Sequence, residues 1–190
     1  AKMLNLPTFS GSEVEKYAQK GNENRFSFPL PLINTNDCDL SFSGLKSSVR
    51  RQVDTLIEKQ SGLYESDQMD VCASFQKSMR IIFEKKTKKA VDLFSKLSSG
   101  EKISFSLAGG VAANQNIRSS LKSLCNDLDI IFSAPPLELC TDNGLMIAYA
   151  GTQIYLSGRQ DDMGLSPKPR WPIDLDNQKP LGFGKRGRKV

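Results

Sequence analysis

Hydrophobic residues recur every three or four positions in the first half of the chain, which is the pattern of amphipathic helices. This spacing predicts a helix over 45–60 and a long helix, or a pair of helices, over 67–97. A shorter helix is predicted over 12–20, where Ser12 and Glu15 have the spacing of a capping box. The first half of the chain is therefore expected to be mainly helical.

Residues 21–43, between the first two predicted helices, alternate hydrophobic and polar positions instead. This alternation predicts an edge strand, because Pro29 and Pro31 cannot donate to a sheet ladder. A second strand is predicted at 40–42, ahead of the turn residue Gly44.

The second half of the chain has the pattern of a strand–helix–strand unit. Strands are predicted over 103–107 and 128–132, with a helix over 112–124 between them and a last helix over 142–156. A crossover of this length joins neighbouring parallel strands. The predicted fold class is therefore α/β, with a parallel-containing sheet covered by helices.

Charge is distributed unevenly along the chain. Residues 158–190 carry eight basic and four acidic side chains, which is +4 of the net charge of +5. Proline and glycine are frequent there and periodicity is lost, so we expect a domain over 1–157 followed by a basic, mostly irregular tail. Such a tail fits nucleic acid or a solvated, solubilising end. The basic run Lys85–Lys89 likewise fits a solvated helix surface or a nucleic-acid contact.

Histidine and cysteine usage excludes several classes of protein. The sequence has no histidine, which excludes a Ser-His-Asp triad, a Cys-His dyad and the HExxH zinc proteases. The four cysteines form no CxxC pair, so we expect reduced thiols and a cytoplasmic location. The longest hydrophobic stretch, residues 145–150, is far too short to span a bilayer, and no secretion signal is recognisable. We therefore expect neither a membrane protein nor a disulfide-stabilised secreted module.

Candidate binding residues follow the predicted strands. Exposed amides at Gly109 and Gly110 favour a phosphate at a helix N-terminus, although a tight strand-to-helix turn also explains this pair. Asn114, in the first turn of the helix, either bonds a neighbouring loop or points its amide at a ligand. Asp142 is better explained, from the residues alone, as an N-cap or first-turn residue of the last helix than as a ligand contact. Since open α/β sheets bind ligands beyond the carboxyl ends of their strands, all four residues are expected to meet in one cleft.

Ordered segments along the chain resemble one known family. They are AKMLNL at 1–6, continuing to Gly11; DLSFSGLK at 39–46; ASFQ at 73–76; and LAGGVAANQNIR at 107–118, followed by LCTDNGLMIAYAG at 139–151. Together they resemble the catalytic subunit of the tRNA threonylcarbamoyladenosine transferase, the glycoprotease family once called O-sialoglycoprotein endopeptidase. The resemblance covers about residues 1–157.

This resemblance implies one lobe of the two-lobed fold of actin, Hsp70 and the sugar kinases. It also implies transfer of a threonylcarbamoyl group from threonylcarbamoyl-adenylate to the adenosine beside the anticodon of a tRNA. By the family pattern Gly11 and Asn114 contact the adenylate, and Gly109 and Gly110 help to fix it. Asp142 is implied as one ligand of an iron or similar metal, whose other ligands are the two histidines of an HxxxH motif.

The HxxxH motif, the upstream glycine-rich loop and a further aspartate of the family pattern would all precede Ala1. We therefore expect that the chain is active only when completed by an N-terminal lobe, within one protein or as a separate family member. The alternative is a non-catalytic nucleotide-binding remnant or scaffold that pairs with a family paralogue. A peptidase is rejected, since no activated nucleophile or complete metal site can be assembled from these residues. No general base is recognised.

Overall fold

The computed structural model describes residues 1–98, 100, 102–164 and 166. The chain divides into two compact units, residues 1–146 and 147–190. In this described part, none of the helices has both the length and the hydrophobicity needed to cross a bilayer. The predicted basic tail over 158–190 lies largely outside the described residues, and its boundary at 157 stays a prediction.

Three helices build the core of the first unit. They are α1, Gly11–Ala18; α2, Ser43–Gln60; and α3, Glu65–Leu97. All three confirm predicted helices, α1 from its capping-box spacing and the other two from hydrophobic spacing, and the long one is a single helix. Their inward positions form one hydrophobic cluster together with the segment that follows Ala1, and its buried members include Leu4, Leu6, Leu45, Val53, Val71 and Ile82.

The helix α1 begins earlier than its predicted capping box implied. Ser10, not Ser12, occupies the N-cap, and its hydroxyl accepts a hydrogen bond from the Glu13 N–H at 3.2 Å. A serine at this position satisfies one of the backbone donors that have no partner inside the helix. Glu15 is consequently not needed at the cap and is available for another contact.

The predicted parallel strand–helix–strand unit is confirmed. Strand β1, Ser104–Ser106, pairs in parallel with β2, Ile131–Ser133, and α4, Gln115–Asp127, connects them. Phe105 lies opposite Phe132, and their ring centroids are 6.4 Å apart. The fold class is thus α/β and rich in helix, as predicted.

The second strand starts three residues later than predicted because α4 begins and ends three residues later than its hydrophobic pattern suggested. The chain leaves α4 through Leu128 and through Asp129, whose φ of 52° is left-handed. Ile130 is buried at 8% exposure and donates its N–H to the Cys125 carbonyl at 3.0 Å. The alternation of hydrophobic and polar residues at 128–130 therefore belongs to a turn that buries Ile130, and not to a strand.

The two strands predicted within 21–43 are wrong, since this segment contains no strand. Its backbone bonds instead to polar side chains of α3: Asn22 N–H donates to Asp70 Oδ1 at 2.6 Å, and Phe26 N–H donates to Ser74 Oγ at 3.2 Å. Gly21 makes this approach possible, because a Cβ there would lie 2.1 Å from the Met69 carbonyl oxygen. The backbone donors are thus satisfied without a sheet ladder.

A buried carboxylate anchors the same segment and the start of α3. Asp67, only 2% exposed, pairs with the Arg25 guanidinium at 2.6 Å and accepts hydrogen bonds from Gln60 Nε2 at 2.5 Å and the Tyr64 N–H at 3.1 Å. Burial alone would raise the pKa of Asp67, but these hydrogen bonds and the positive charge of Arg25 hold it below its ordinary value. Asp67 is therefore ionised and paired at neutral pH.

The last helix, α5, spans Gly144–Leu156, two residues after its predicted start. Asn143, and not Asp142, caps it: the Asn143 side-chain oxygen accepts from the Met146 N–H at 3.0 Å. The helix-cap interpretation of Asp142 is accordingly wrong.

Candidate functional site

A groove of about 630 Å³ lies in the first unit between the start of α1, the middle of α3 and the turn that precedes α4. We call it the interhelix groove. Much of its wall is hydrophobic, and these side chains are Val14, Phe75, Met79, Val111 and Ile117. A groove of this size and character suits a small ligand with one flat apolar part and a few polar groups.

The interhelix groove brings together several residues singled out in the sequence. Gly11, Gly110 and Asn114 line it, and so does Thr141, the residue before Asp142. Gly109 and Asp142 do not line it. Of the four residues predicted to converge, only Gly110 and Asn114 do so, and Gly11 joins them in the groove. The binding role of each stays a prediction.

Asn114 was predicted within the first turn of the helix, but it is the N-cap of α4. Its Oδ1 accepts from the Ile117 N–H at 2.9 Å, and its Nδ2 donates to Gln76 Oε1 at 2.9 Å. A short 3₁₀ helix, Gly110–Ala113, occupies the turn where the α-helix was expected to begin. Because an amide offers two donors and two acceptor positions, one donor and one acceptor position of Asn114 remain for a ligand.

The Gly109-Gly110 pair makes the strand-to-helix turn that its sequence suggested. Gly109 has a φ of 80°, a left-handed conformation that favours glycine, and it caps the 3₁₀ helix. The first hydrogen bond of that helix runs from the Ala112 N–H to the Gly109 carbonyl at 2.9 Å. The N–H groups of Gly110 and Val111 therefore have no hydrogen-bond partner within the 3₁₀ helix. Both residues line the interhelix groove.

Sequence reasoning missed the role of Glu15 at this site. One carboxylate oxygen of Glu15, Oε1, accepts hydrogen bonds from the Gln115 and Asn116 N–H groups at 2.7 and 3.3 Å. A negative charge at this place stabilises the N-terminus of α4 and links α1 to α4 across 100 residues of sequence. The only available signal was Glu15 itself, which the sequence had assigned to a capping box.

Gln76 was also missed as a site residue, although its segment ASFQ contributed to the family resemblance. It is buried at 8% exposure on α3 and lines the groove. Its Oε1 accepts the bond from Asn114 that joins α3 to the start of α4. Gln76 therefore positions Asn114 and fixes one side of the groove.

The described residues alone do not fit the metal that the resemblance implied. Asp142 is exposed, and no group of three histidine, cysteine, aspartate or glutamate side chains in this part of the chain could hold an ion. Cys140 is buried, and its thiol points to the carbonyl oxygens of Pro135 and Pro136 at 3.8 and 3.5 Å. Asp142 can therefore contribute at most one ligand to a site that other residues must complete.

Comparison with known proteins identifies relatives across the whole chain. The family model described as TsaD, tRNA N6-adenosine threonylcarbamoyltransferase, matches residues 1–149. A protein of that name from Ruegeria pomeroyi is 44% identical over 190 residues, and one from Paracoccus denitrificans is 46% identical over 190 residues. Each alignment covers 100% of this chain and 52% of the relative. The chain thus spans about half the length of the curated relatives it matches.

Proposed function

We propose that this chain, which belongs to the TsaD family of tRNA N6-adenosine threonylcarbamoyltransferases, supplies the adenylate-binding part of an enzyme that transfers a threonylcarbamoyl group to adenosine in tRNA. Its helix-rich α/β architecture with a parallel sheet is consistent with one lobe of that family's fold. The observation that carries the proposal is the interhelix groove, which gathers Gly11, Gly110 and Asn114 from distant parts of the sequence.

The groove offers a separate contact for each part of an adenylate. Phe75, Met79 and Ile117 provide a hydrophobic surface for the adenine ring. The N–H groups of Gly110 and Val111 can donate to the phosphate, since an amide pair of this kind attracts negative charge. Gly11, which has open space where a Cβ would stand, leaves the opposite rim accessible.

Glu15 contributes the polar contact that suits the sugar. Glu15 lines the groove, and its carboxylate can accept from ribose hydroxyl groups, as acidic side chains do in dinucleotide sites. The same carboxylate is held in place by the first amides of α4. Glu15 would then orient the nucleotide without taking part in the chemistry.

The proposed reaction is an acyl transfer from threonylcarbamoyl-adenylate. The N6 amine of the tRNA adenosine attacks the carbamoyl carbonyl and forms a C–N bond, the bond from that carbon to the phosphate oxygen breaks, and AMP leaves with its electron pair. The amine loses one proton to solvent. The residues of this chain bind the leaving group: they fix its position and stabilise the charge that develops on the phosphate. No side chain in the groove is assigned as a general base.

The predicted iron is retained as a proposal, with Asp142 as one ligand and the histidines of an HxxxH motif as the others. The support for this ligand role is that Asp142 is exposed and directly follows Thr141, which lines the groove. Asp142→Ala should abolish iron binding in a complex of this chain with an N-terminal lobe, because a three-ligand site loses most of its affinity with one ligand. Metal analysis of the complex, with Glu138→Ala as the matched exposed carboxylate, tests this, and equal iron in all three proteins would exclude Asp142.

The partners implied by this function are tRNA, threonylcarbamoyl-adenylate and an N-terminal lobe or paralogous subunit. A protein acting on tRNA is expected in the cytoplasm, and the free thiols of its four cysteines suit that compartment. No membrane partner is proposed.

Reconstitution tests the proposed function. The chain is mixed with the half of the Ruegeria pomeroyi relative that it does not cover, then supplied with threonylcarbamoyl-adenylate and tRNA, and modified adenosine is measured by mass spectrometry. Gly110→Val should abolish transfer, because the added side chain occupies the space of the phosphate contact, and a Cβ at this position meets no protein atom within 4 Å. Gly62→Val, at another position with open space, is the matched control and should remain active.

The alternative, a non-catalytic nucleotide-binding module, predicts a different outcome of the same experiment. AMP would then bind to the chain, and Gly110→Val would weaken that binding, but no modified adenosine would form with any complementing half.

A further inference from the structure

A second groove, of about 590 Å³, follows the C-terminal half of α3 and is distinct from the interhelix groove. We call it the lysine groove. Its charged residues are Lys85, Lys88, Lys89, Asp92 and Lys96, and Ile33 and Leu93 supply its hydrophobic part. Four ammonium groups thus face a single carboxylate.

The lysines of this part of α3 have two different roles. Lys86 is buried at 5% exposure, donates to Thr35 Oγ1 at 2.9 Å and pairs with the Asp37 carboxylate at 3.3 Å. It is a structural cation that anchors the 35–37 turn to α3. The expectation of a uniformly solvated or ligand-binding run over Lys85–Lys89 is therefore corrected at this position.

The groove lysines, by contrast, are not neutralised by the part of the chain that the structure describes. Lys89 donates to two neutral oxygens, the Thr35 carbonyl at 3.2 Å and Asn36 Oδ1 at 3.0 Å. Across the described residues, none of the ion pairs includes Lys85, Lys88 or Lys96. The positive charge of the groove is consequently available to a ligand.

The lysines also form a line. Relative to Lys85 they stand at the third, fourth and eleventh following positions, which share one face of a helix. With a rise of 1.5 Å per residue, the line from Lys85 to Lys96 is about 16 Å long. Gln76 of the interhelix groove lies about 18 Å from Lys88 along the same helix, by the same rise.

We propose that the lysine groove binds the phosphodiester backbone of an RNA stem, an interaction that rests on the proposed function and extends it to the RNA substrate. Point charges distributed along about 16 Å of one helix face, by the helical rise above, suit an extended polyanion such as a phosphodiester backbone. Ile33 and Leu93 give the groove a hydrophobic part along which lysine stems can lie while their charged ends remain in solvent. Contacts of this kind set the position and orientation of an RNA and carry no sequence preference.

The test measures how RNA affinity depends on salt. Binding of a fluorescein-labelled RNA hairpin to the 190-residue chain is followed by fluorescence anisotropy between about 50 and 200 mM salt, the range over which counterion release is pronounced. Lys88→Gln/Lys96→Gln removes two groove charges, and Lys88→Arg/Lys96→Arg retains them. Lys59→Gln/Lys122→Gln removes two exposed charges from other helices and is the matched control for net charge.

Each lost phosphate contact lowers the slope of log affinity against log salt by about 0.9. The slope of Lys88→Gln/Lys96→Gln should therefore be lower by about 1.8. The ratio of wild-type to variant RNA affinity should then be about twelvefold smaller at the highest salt than at the lowest. The arginine variant should keep the wild-type slope, and the control pair should change it by much less.

Equal slopes for Lys88→Gln/Lys96→Gln and the control pair, or no hairpin binding at low salt, would overturn the proposal. Polyglutamate that displaces RNA as well as an equal charge of unlabelled hairpin does would assign the groove to an acidic polypeptide instead. AMP binding, measured without RNA, separates a failure of this proposal from a failure of the proposed function. If AMP still binds but Lys88→Gln/Lys96→Gln leaves the salt slope unchanged, only the RNA-binding role of the lysine groove is excluded.

Discussion

Replacing Asn114 tests whether the side chain that links α3 to α4 holds the interhelix groove together. Asn114→Ala removes two hydrogen bonds at once, the cap to the Ile117 N–H and the bond to Gln76 Oε1, both 2.9 Å long. Asn114→Ser keeps a capping oxygen but is too short to reach Gln76. Comparison of the two variants separates capping from the link between the helices.

The expected cost of each variant follows from these contacts. Loss of an N-cap costs about 1 kcal/mol. Leaving the buried Gln76 oxygen without its partner costs about another 1 kcal/mol. Asn114→Ala should therefore lower the free energy of unfolding by about 2 kcal/mol, and Asn114→Ser by about 1 kcal/mol.

Urea unfolding followed by far-ultraviolet circular dichroism measures both values. Asn116→Ala is the matched control: its side chain is exposed in the same turn of α4, and a change below about 0.5 kcal/mol is expected. The denaturant slope should stay constant across the set. If Asn114→Ser is no more destabilising than the control, the assigned link to Gln76 is refuted, and if Asn114→Ser is as destabilising as Asn114→Ala, the assigned cap is refuted.

Two further predictions concern the body of the first unit. Asp67→Asn should destabilise the chain by about 1–3 kcal/mol at pH 7, because it removes the charge of a buried carboxylate that pairs with the partly exposed Arg25. Since the folded-state pKa of Asp67 is lowered, this contribution is present above about pH 4 and is lost as the pH falls through that pKa, so unfolding curves of the two proteins should converge in acid. At pH 8 iodoacetamide should label the exposed Cys38 long before Cys72, since burial raises the pKa of Cys72 to about 11. Mass spectrometry of samples taken over time shows the order of labelling. Equal labelling rates for the two cysteines would contradict the assigned burial of Cys72.

The elements that the sequence predicted well are those whose signal is local. The helix over 45–60 and the parallel strand–helix–strand unit follow from periodicity within each segment, and both are confirmed. The Gly109-Gly110 turn was also readable, because glycine supplies the left-handed conformation that the structure requires there.

The elements that the sequence could not predict depend on partners far away in the chain. The segment 21–43 alternates like a strand, yet its amides bond to α3 side chains such as Asp70, 48 residues further on. Glu15 has the spacing of a cap, yet it binds the start of α4. In both cases a polar group had two possible partners, and only the packing of the helices decides between them.

The central claim is that the interhelix groove binds an adenylate, and an amide chemical-shift titration of the ¹⁵N-labelled chain with AMP tests it most directly. The account predicts saturable shifts at Gly11, Gly110 and Val111 with a dissociation constant in the millimolar range, about −4 kcal/mol, since this chain provides only part of the family's length. Gly110→Val should remove these shifts, and Gly62→Val should retain them. Saturable shifts confined to other residues, or none at these three at millimolar AMP, would contradict the claim.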